Sequence, residues 1–527
     1  MRRPLLVALL ATTLAAMAVG APVAGAQTDP FTRFQDQISV NGMMKHLRKF
    51  QSFADGSDIR VATDPSIGTR LSGSTGYDMS VEYVAKRAES AGYDVEIYEF
   101  EFQAWYPAGP SALERLAPTA HTYVEGVDFS PMSQTDPGDV TADVTAVDLD
   151  LGLGNASTSG CQGVWQPDPV TGEPIPNDTG VDDFAGFPAG NIALIQRGAC
   201  TFRIKALNAS EAGAVGVILF NNGSTEQNRG IIGGTLGEAN DSGIPVLETT
   251  YFLGEELAGM EGVRVRLFAN VFRGTETTYN VLADTPVGDP DSTIVVGGHL
   301  DSVPGGPGIQ DNGSGSALVL ETAEQLSKAF HLSGPKAGQG KGQFRELTME
   351  HRVRFAWWGA EESGLVGSDH YVFNLPADEL EDLALYLNYD MIASPNFVRF
   401  IYDGDGSAFG LAGPPGSDEI EAMYEEHFAD KGLATTPTQI DFRSDYAAFF
   451  DSGIPFGGLF TGAEGIKTAE QVEVYGGTEG EQYDPCYHEA CDDLSNITSN
   501  GVIAYEQNAD AHADVFLQLL TSEDLPG

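Results

Sequence analysis

Three long apolar runs, STIVVGGHLDS (292–302), RVRFAWWGAEESG (352–364) and ALYLNYDMIASPN (384–396), each break into a turn that carries acids or a histidine. A continuous apolar run bounded by turn residues predicts a strand buried on both faces. Elsewhere the period changes. From Ser80 to Ala91 the apolar residues Val81, Val84, Ala85 and Ala88 recur at helical spacing and stop at Gly92. The chain then alternates through YDVEIYEFEF (93–102), which predicts a strand, so that 41–103 reads as helix, helix, strand. In SGSALVLETAEQLSKAF (314–330), Leu318, Ala323, Leu326 and Phe330 mark one helix face, and SGPKAGQGKG (333–342) predicts a surface loop. Between residues 120 and 275 the composition shifts to Gly, Asn, Pro and Thr, with short strands at NIALIQRG (191–198) and AVGVILFNN (214–222) flanking a helix within CTFRIKALNASEAGA. The pattern predicts an α/β catalytic domain interrupted by a smaller, β-rich insert, with no repeat or coiled-coil signal.

Length and composition sharpen this layout. A chain of 527 residues exceeds what one core supports, since single cores stop growing near ~250–300 residues. Arg2 and Arg3 precede an apolar run from Leu5 to Val19 and the small residues Ala24-Gly25-Ala26, which predicts a secretory signal peptide over 1–26 and an extracellular protein. The remainder divides into a discontinuous domain, 27–119 and 276–527, and the insert 120–275. No other segment is apolar for long enough to cross a bilayer. The formal charge of -48 argues against nucleic acid as a partner; it fits a soluble protein whose negative field attracts cationic substrates such as free peptide amines. The four cysteines, Cys161, Cys200, Cys486 and Cys491, predict two disulfides in an exported chain. A Cys486–Cys491 bridge would frame Tyr487 and His488, and Cys161–Cys200 follows by elimination.

The chemistry lies where the apolar runs end. In an open α/β sheet the crevice lies beyond the carboxyl ends of the strands, so His299, Asp301, Glu361, Glu362 and Asp390 should converge, joined by Asp311 and His488. Imidazole and carboxylate are zinc donors, and two zincs need a bridging carboxylate with further ligands on each side. His299 and Asp390 are assigned to one metal, Glu362 and His488 to the other, and Asp311 to the bridge. Asp301 should accept the second ring N–H of His299. Glu361 should face the attacking water as general base. Taken singly, Asp390 could instead cap a helix. His46, His331, His351, His427 and His512 read as surface or capping groups, and the Asn312-Gly313-Ser314 sequon beside Asp311 as coincidence.

GGHLDSV, GIQDNGSGSA, WWGAEESGLVGSDHYV, LNYDMIASPN, FRSDYAAF, GIPFGGLFTGAEGIKT and YDPCYHEACD resemble the secreted bacterial dizinc leucyl aminopeptidases, over most of 40–110 and 278–518. The resemblance implies a central mixed β-sheet flanked by helices, two zinc ions, and release of N-terminal residues, preferentially leucine-like ones, from peptides with free N-termini. It implies the same ligand set and base as above. It adds Tyr487 as a residue stabilising the tetrahedral intermediate, Arg443 near the substrate, a Cys486–Cys491 disulfide, and calcium in some members, for which Asp492 and Asp493 are the candidates here; separately, a monomer is expected. The segment CTFRIKALNASEAGAVGVILFNN resembles a protease-associated (PA) domain, and a rim over the active site is its expected role. The competing readings are a carboxypeptidase or glutaminyl-cyclase-like enzyme on the same scaffold, and a non-catalytic receptor-like relative.

Overall fold

In the computed structural model, which describes residues 30–151, 157–161, 164–167, 174–177, 182–237, 239–333 and 347–527, the three apolar runs are neighbouring parallel strands. Asp289–His299 lies between His351–Trp358 and Leu383–Tyr389 and pairs parallel with both. Phe456–Phe460 adds a fourth parallel strand beside Leu383–Tyr389. Their continuous apolarity follows from burial on two faces. Ile294, Val296, Phe355, Trp357, Leu385 and Leu387 enter one core, whereas Val295, Ala356, Trp358 and Tyr386 enter another across the sheet. Each such aliphatic side chain contributes roughly 1.5–3 kcal/mol by leaving water.

The sheet has eight strands and is mixed. On one flank Val271–Asp284 and Asp94–Pro107 run antiparallel in register from Val271↔Pro107 to Asp284↔Asp94. On the other, Phe400–Tyr402 and Thr436–Thr438 close the edge. Helices Val40–Gly56, Thr75–Ala91, Gly313–Phe330 and Ser499–Thr521 cover the first core. Val366–Asn374 and Tyr446–Asp451 cover the second. The helix expected over 80–91 starts at Thr75, where the Ser74 side chain accepts the Tyr77 N–H, and ends at Gly92, whose φ of 98° suits glycine.

The insert builds a second eight-stranded sheet, again with four adjacent parallel strands: Gly138–Ala146, Ile192–Gln196, Gly216–Phe220 and Val246–Thr249. One flank includes Ala112–Ala117, between His121–Thr122 and Arg264–Ala269, while Val271–Asp284 already belongs to the first sheet. The insert thus begins and ends earlier than the expected limits 120 and 275. Antiparallel flanking strands carry no composition signal, which is why those limits were misplaced. Phe202–Glu211 is the expected helix. Both disulfides are formed, Cys161–Cys200 and Cys486–Cys491. The expected signal peptide and, apart from Ser333, the expected 333–342 loop fall outside the described residues. Among the described residues no helix is long and apolar enough to cross a membrane.

Candidate active site

Parallel pairing sets the ends of the strands level: His299 lies opposite Trp358, and Gly297 opposite Asn388. Glu361 and Glu362 follow Trp358 in the short Glu361–Ser363 turn, and Asp390 follows Tyr389 directly. Asp311 enters from the loop before Gly313–Phe330, and His488 from the loop closed by Cys486–Cys491. All of them line one cavity of about 230 Å³ together with Arg443 and Tyr487.

Distances divide these groups into two halves around Asp311. His299 Nε2 lies 3.3 Å from Asp311 Oδ1 and 3.4 Å from Asp390 Oδ1. His488 Nε2 lies 3.2 Å from Asp311 Oδ2 and 3.1 Å from Glu362 Oε2. Glu361 Oε2 is 3.7 Å from His299 Nε2, slightly beyond the other acids. Burial pushes the Glu361 carboxyl well above the ordinary carboxylate range, with His299 opposing the shift and Glu362 adding to it. Burial, reinforced by Asp311, takes Glu362 up to about 7. Burial alone would lower His488, yet Glu362 and Asp311 carry it up to about 11. This is an excess of buried negative charge, and it fits a set of metal donors. Glu362 Oε1, Asp390 Oδ1 and Asp301 Oδ2 are buried with no hydrogen-bond partner, a costly state that a cation would relieve.

The groups are held from behind. Ser444 Oγ donates to Asp390 Oδ2 at 2.7 Å and accepts from Asn388 Nδ2 at 2.9 Å. The backbone N–H groups of Gln310 and Asp311 donate to the Asp492 carboxylate at 2.8 and 3.0 Å, fixing the Asp311 loop. Arg70, fully buried, donates to the backbone oxygens of Leu300, Pro307 and Gly308, which joins the His299 and Asp311 turns. Asp301 departs from its expected contact. His299 Nδ1 is 3.3 Å from the Asp301 main-chain oxygen and 3.6 Å from its carboxylate, which instead accepts the Glu361 N–H at 3.2 Å. Tyr487 stacks on His488 with ring centroids 3.8 Å apart, and its hydroxyl accepts from Arg443 Nη2 at 3.1 Å. Arg443 is in turn paired with Glu464 at 2.8 Å.

Residues 280–512 match Peptidase family M28, and residues 141–257 match the PA domain. An aminopeptidase of Pseudomonas aeruginosa is 48% identical over 91% of this chain and 80% of its own length. The chain belongs to peptidase family M28. A leucine aminopeptidase 2 of Trichophyton tonsurans is 35% identical over 89% of this chain and 82% of its own. The fold is that of a solved zinc aminopeptidase from Bacillus subtilis, with a TM-score of 0.59 and 22% identity, covering 90% of this chain and 95% of that one.

Several features of this M28 chain lay outside the sequence reading. Arg70, Ser444, Glu464 and the supporting role of Asp492 were missed, as was Asp445, a fully buried acid that burial pushes up to about 8. Asp492 serves the Asp311 loop, Asp493 accepts from Ser495, and neither belongs to a potential cation cluster among the described residues. Asn312 is fully buried and donates to Tyr389 O at 2.9 Å, so its sequon cannot carry a glycan in the folded chain. Of the five histidines read as surface or caps, only His331 caps a helix; His46, His351, His427 and His512 are buried. Among the described residues, none of the insert lines the cavity, so the lining gives the expected rim no support.

Proposed function

We propose that this chain is a secreted aminopeptidase that removes N-terminal residues from peptides, preferentially leucine-like ones, with two zinc ions at the strand ends. The single observation that carries this is Asp311, whose two oxygens face the two histidines at 3.3 and 3.2 Å. His299 and Asp390 would hold one ion, His488 and Glu362 the other, and Asp311 would bridge them. Bound there, the ions would polarise the scissile carbonyl and acidify the attacking water.

The remaining steps fall to the protein. Glu361, buried and strongly basic for a carboxylate, takes the proton of the attacking water and returns it to the leaving amine. The Tyr487 hydroxyl accepts from Arg443, so its own proton is free for the oxygen that becomes negative in the tetrahedral intermediate. The clustered carboxylates favour a substrate ammonium over a carboxylate. Among the described residues Arg443 is the one Lys or Arg in the lining, and Glu464 already neutralises it. That disfavours a carboxypeptidase. The convergence of His299, Asp311, Glu361, Glu362, Asp390 and His488 on one cavity supports a catalytic role over a non-catalytic one. Met391, Phe400, Tyr402 and Phe460 give the cavity an apolar wall suited to an aliphatic side chain. Two disulfides fit export to an oxidising compartment, and the intact secreted protein should start near Gln27.

Turnover of Leu-, Lys- and Glu-anilides beside N-acetyl-Leu-anilide tests the reading. Leu-anilide should be fastest, a chelator should abolish the rate, and zinc should restore it. Cleavage of the acetylated compound as fast as the free amine would refute an aminopeptidase.

A further inference from the structure

Three of the four buried histidines outside the strand-end site have clear partners. His351 bonds Ser292 and the Ser522 carbonyl, His427 bonds Asp514, and His512 bonds Thr322 and Tyr389. His46 is different. It sits on Val40–Gly56, is 3% exposed, and its Nε2 makes no hydrogen bond. That atom faces two carboxylates one turn apart on Gly313–Phe330, 3.4 Å from Glu321 Oε2 and 4.0 Å from Glu324 Oε1.

The three side chains are braced in the manner of metal ligands, each with an outer partner. His46 Nδ1 bonds the Tyr83 hydroxyl at 2.8 Å. Gln325 donates to Glu321 Oε1 at 2.8 Å, and Arg87 donates to Glu324 Oε1 at 2.5 Å. Gly42, one turn before His46, makes the room: a Cβ there would lie 2.0 Å from Glu321 Oε1. The cluster opens on a cavity of about 670 Å³, separate from the one at the strand ends. His46 Nε2 lies within ion-pair distance of Glu321 but makes no well-aligned hydrogen bond to it.

We propose that His46, Glu321 and Glu324 form a further divalent-metal site, for zinc or an ion of like preference for imidazole and carboxylate, that ties the Val40–Gly56 helix to Gly313–Phe330. The site is structural. Glu321 lies ten residues along the chain from Asp311, roughly 15 Å at helical rise, so the ion would steady the helix whose start positions Asp311 without touching substrate.

The test counts zinc per full-length chain by mass spectrometry after dialysis, in a His299→Ala/His488→Ala background. Because both strand-end histidines are gone, the count does not depend on the proposed activity. The background should keep one ion that adding His46→Ala removes; Glu321→Gln should remove the same ion and guards against a folding defect in the first variant. His46→Ala alone should lose one ion and keep kcat on Leu-anilide within about twofold. A background that binds no zinc, or a zinc count unchanged by both substitutions, overturns the proposal.

Discussion

Each of the two eight-stranded sheets carries four adjacent parallel strands, so each offers a crevice at its carboxyl edge. At the ends of one set stand His299, Glu361, Glu362 and Asp390. At the ends of the other stand Asp148, Arg197, Asn221 and Thr250. The first set leaves oxygens of Asp301, Glu362 and Asp390 buried and unpaired. The second satisfies itself. Arg197 donates to Asn221 and Asn228 at 3.3 and 3.2 Å, Asn221 donates to Gly230 O at 3.1 Å, and Thr250 caps the next helix. Identical sheet physics therefore gives a place for a site, and uncompensated buried charge at that place gives the chemistry.

The sharpest way to break the contrast is Glu361→Ala, which should lower kcat by about 10²–10⁴-fold while zinc content stays at the parent value. Metal loss, or a near-normal rate, would count against its role as base. Next is Ser444→Ala, which strips the outer hydrogen bond from Asp390 and should weaken zinc at the strand ends by about 10–100-fold, read by competition with a chelator. On the insert's side, Lys205 is fully buried and burial lowers its ammonium from 10.5 to about 7, with Asp183 opposing. Between those values the unfolded chain holds the extra proton, so stability should rise with pH across that window. Lys205→Met should remove this term, a change of about 2 kcal/mol between pH 7 and 9 in the variant-minus-parent difference from denaturant unfolding. An unchanged difference would mean the amine is charged in the fold. Smallest of all, Arg197→Ala at the insert's own strand end should leave kcat and zinc content within about twofold. A large loss there would tie the insert to catalysis.

What could be read from sequence was local. The apolar runs announced their strands because burial on two faces leaves no polar alternation, and the acids stood directly at the ends of those runs. Asp311 and His488 were visible through a glycine turn and a cysteine frame. The supports were not visible, because their partners are remote: Ser444 is 54 residues from Asp390, Asp492 is 181 from Asp311, and Arg70 is 230 from Leu300. The insert's true edge was hidden for the same reason, since Ala112–Ala117 makes sense as a strand only against Arg264–Ala269. His46 was misread because a lone histidine on a helix shows neither its burial nor the Glu321 and Glu324 it meets.

The central claim is that the strand ends hold a two-metal centre bridged by Asp311. Anomalous diffraction at the zinc edge from zinc-loaded crystals tests it most directly. Two peaks about 3.5–4 Å apart, one beside His299 and Asp390 and the other beside His488 and Glu362, with Asp311 between them, are the result expected. A single peak at the strand ends, or none, would contradict it.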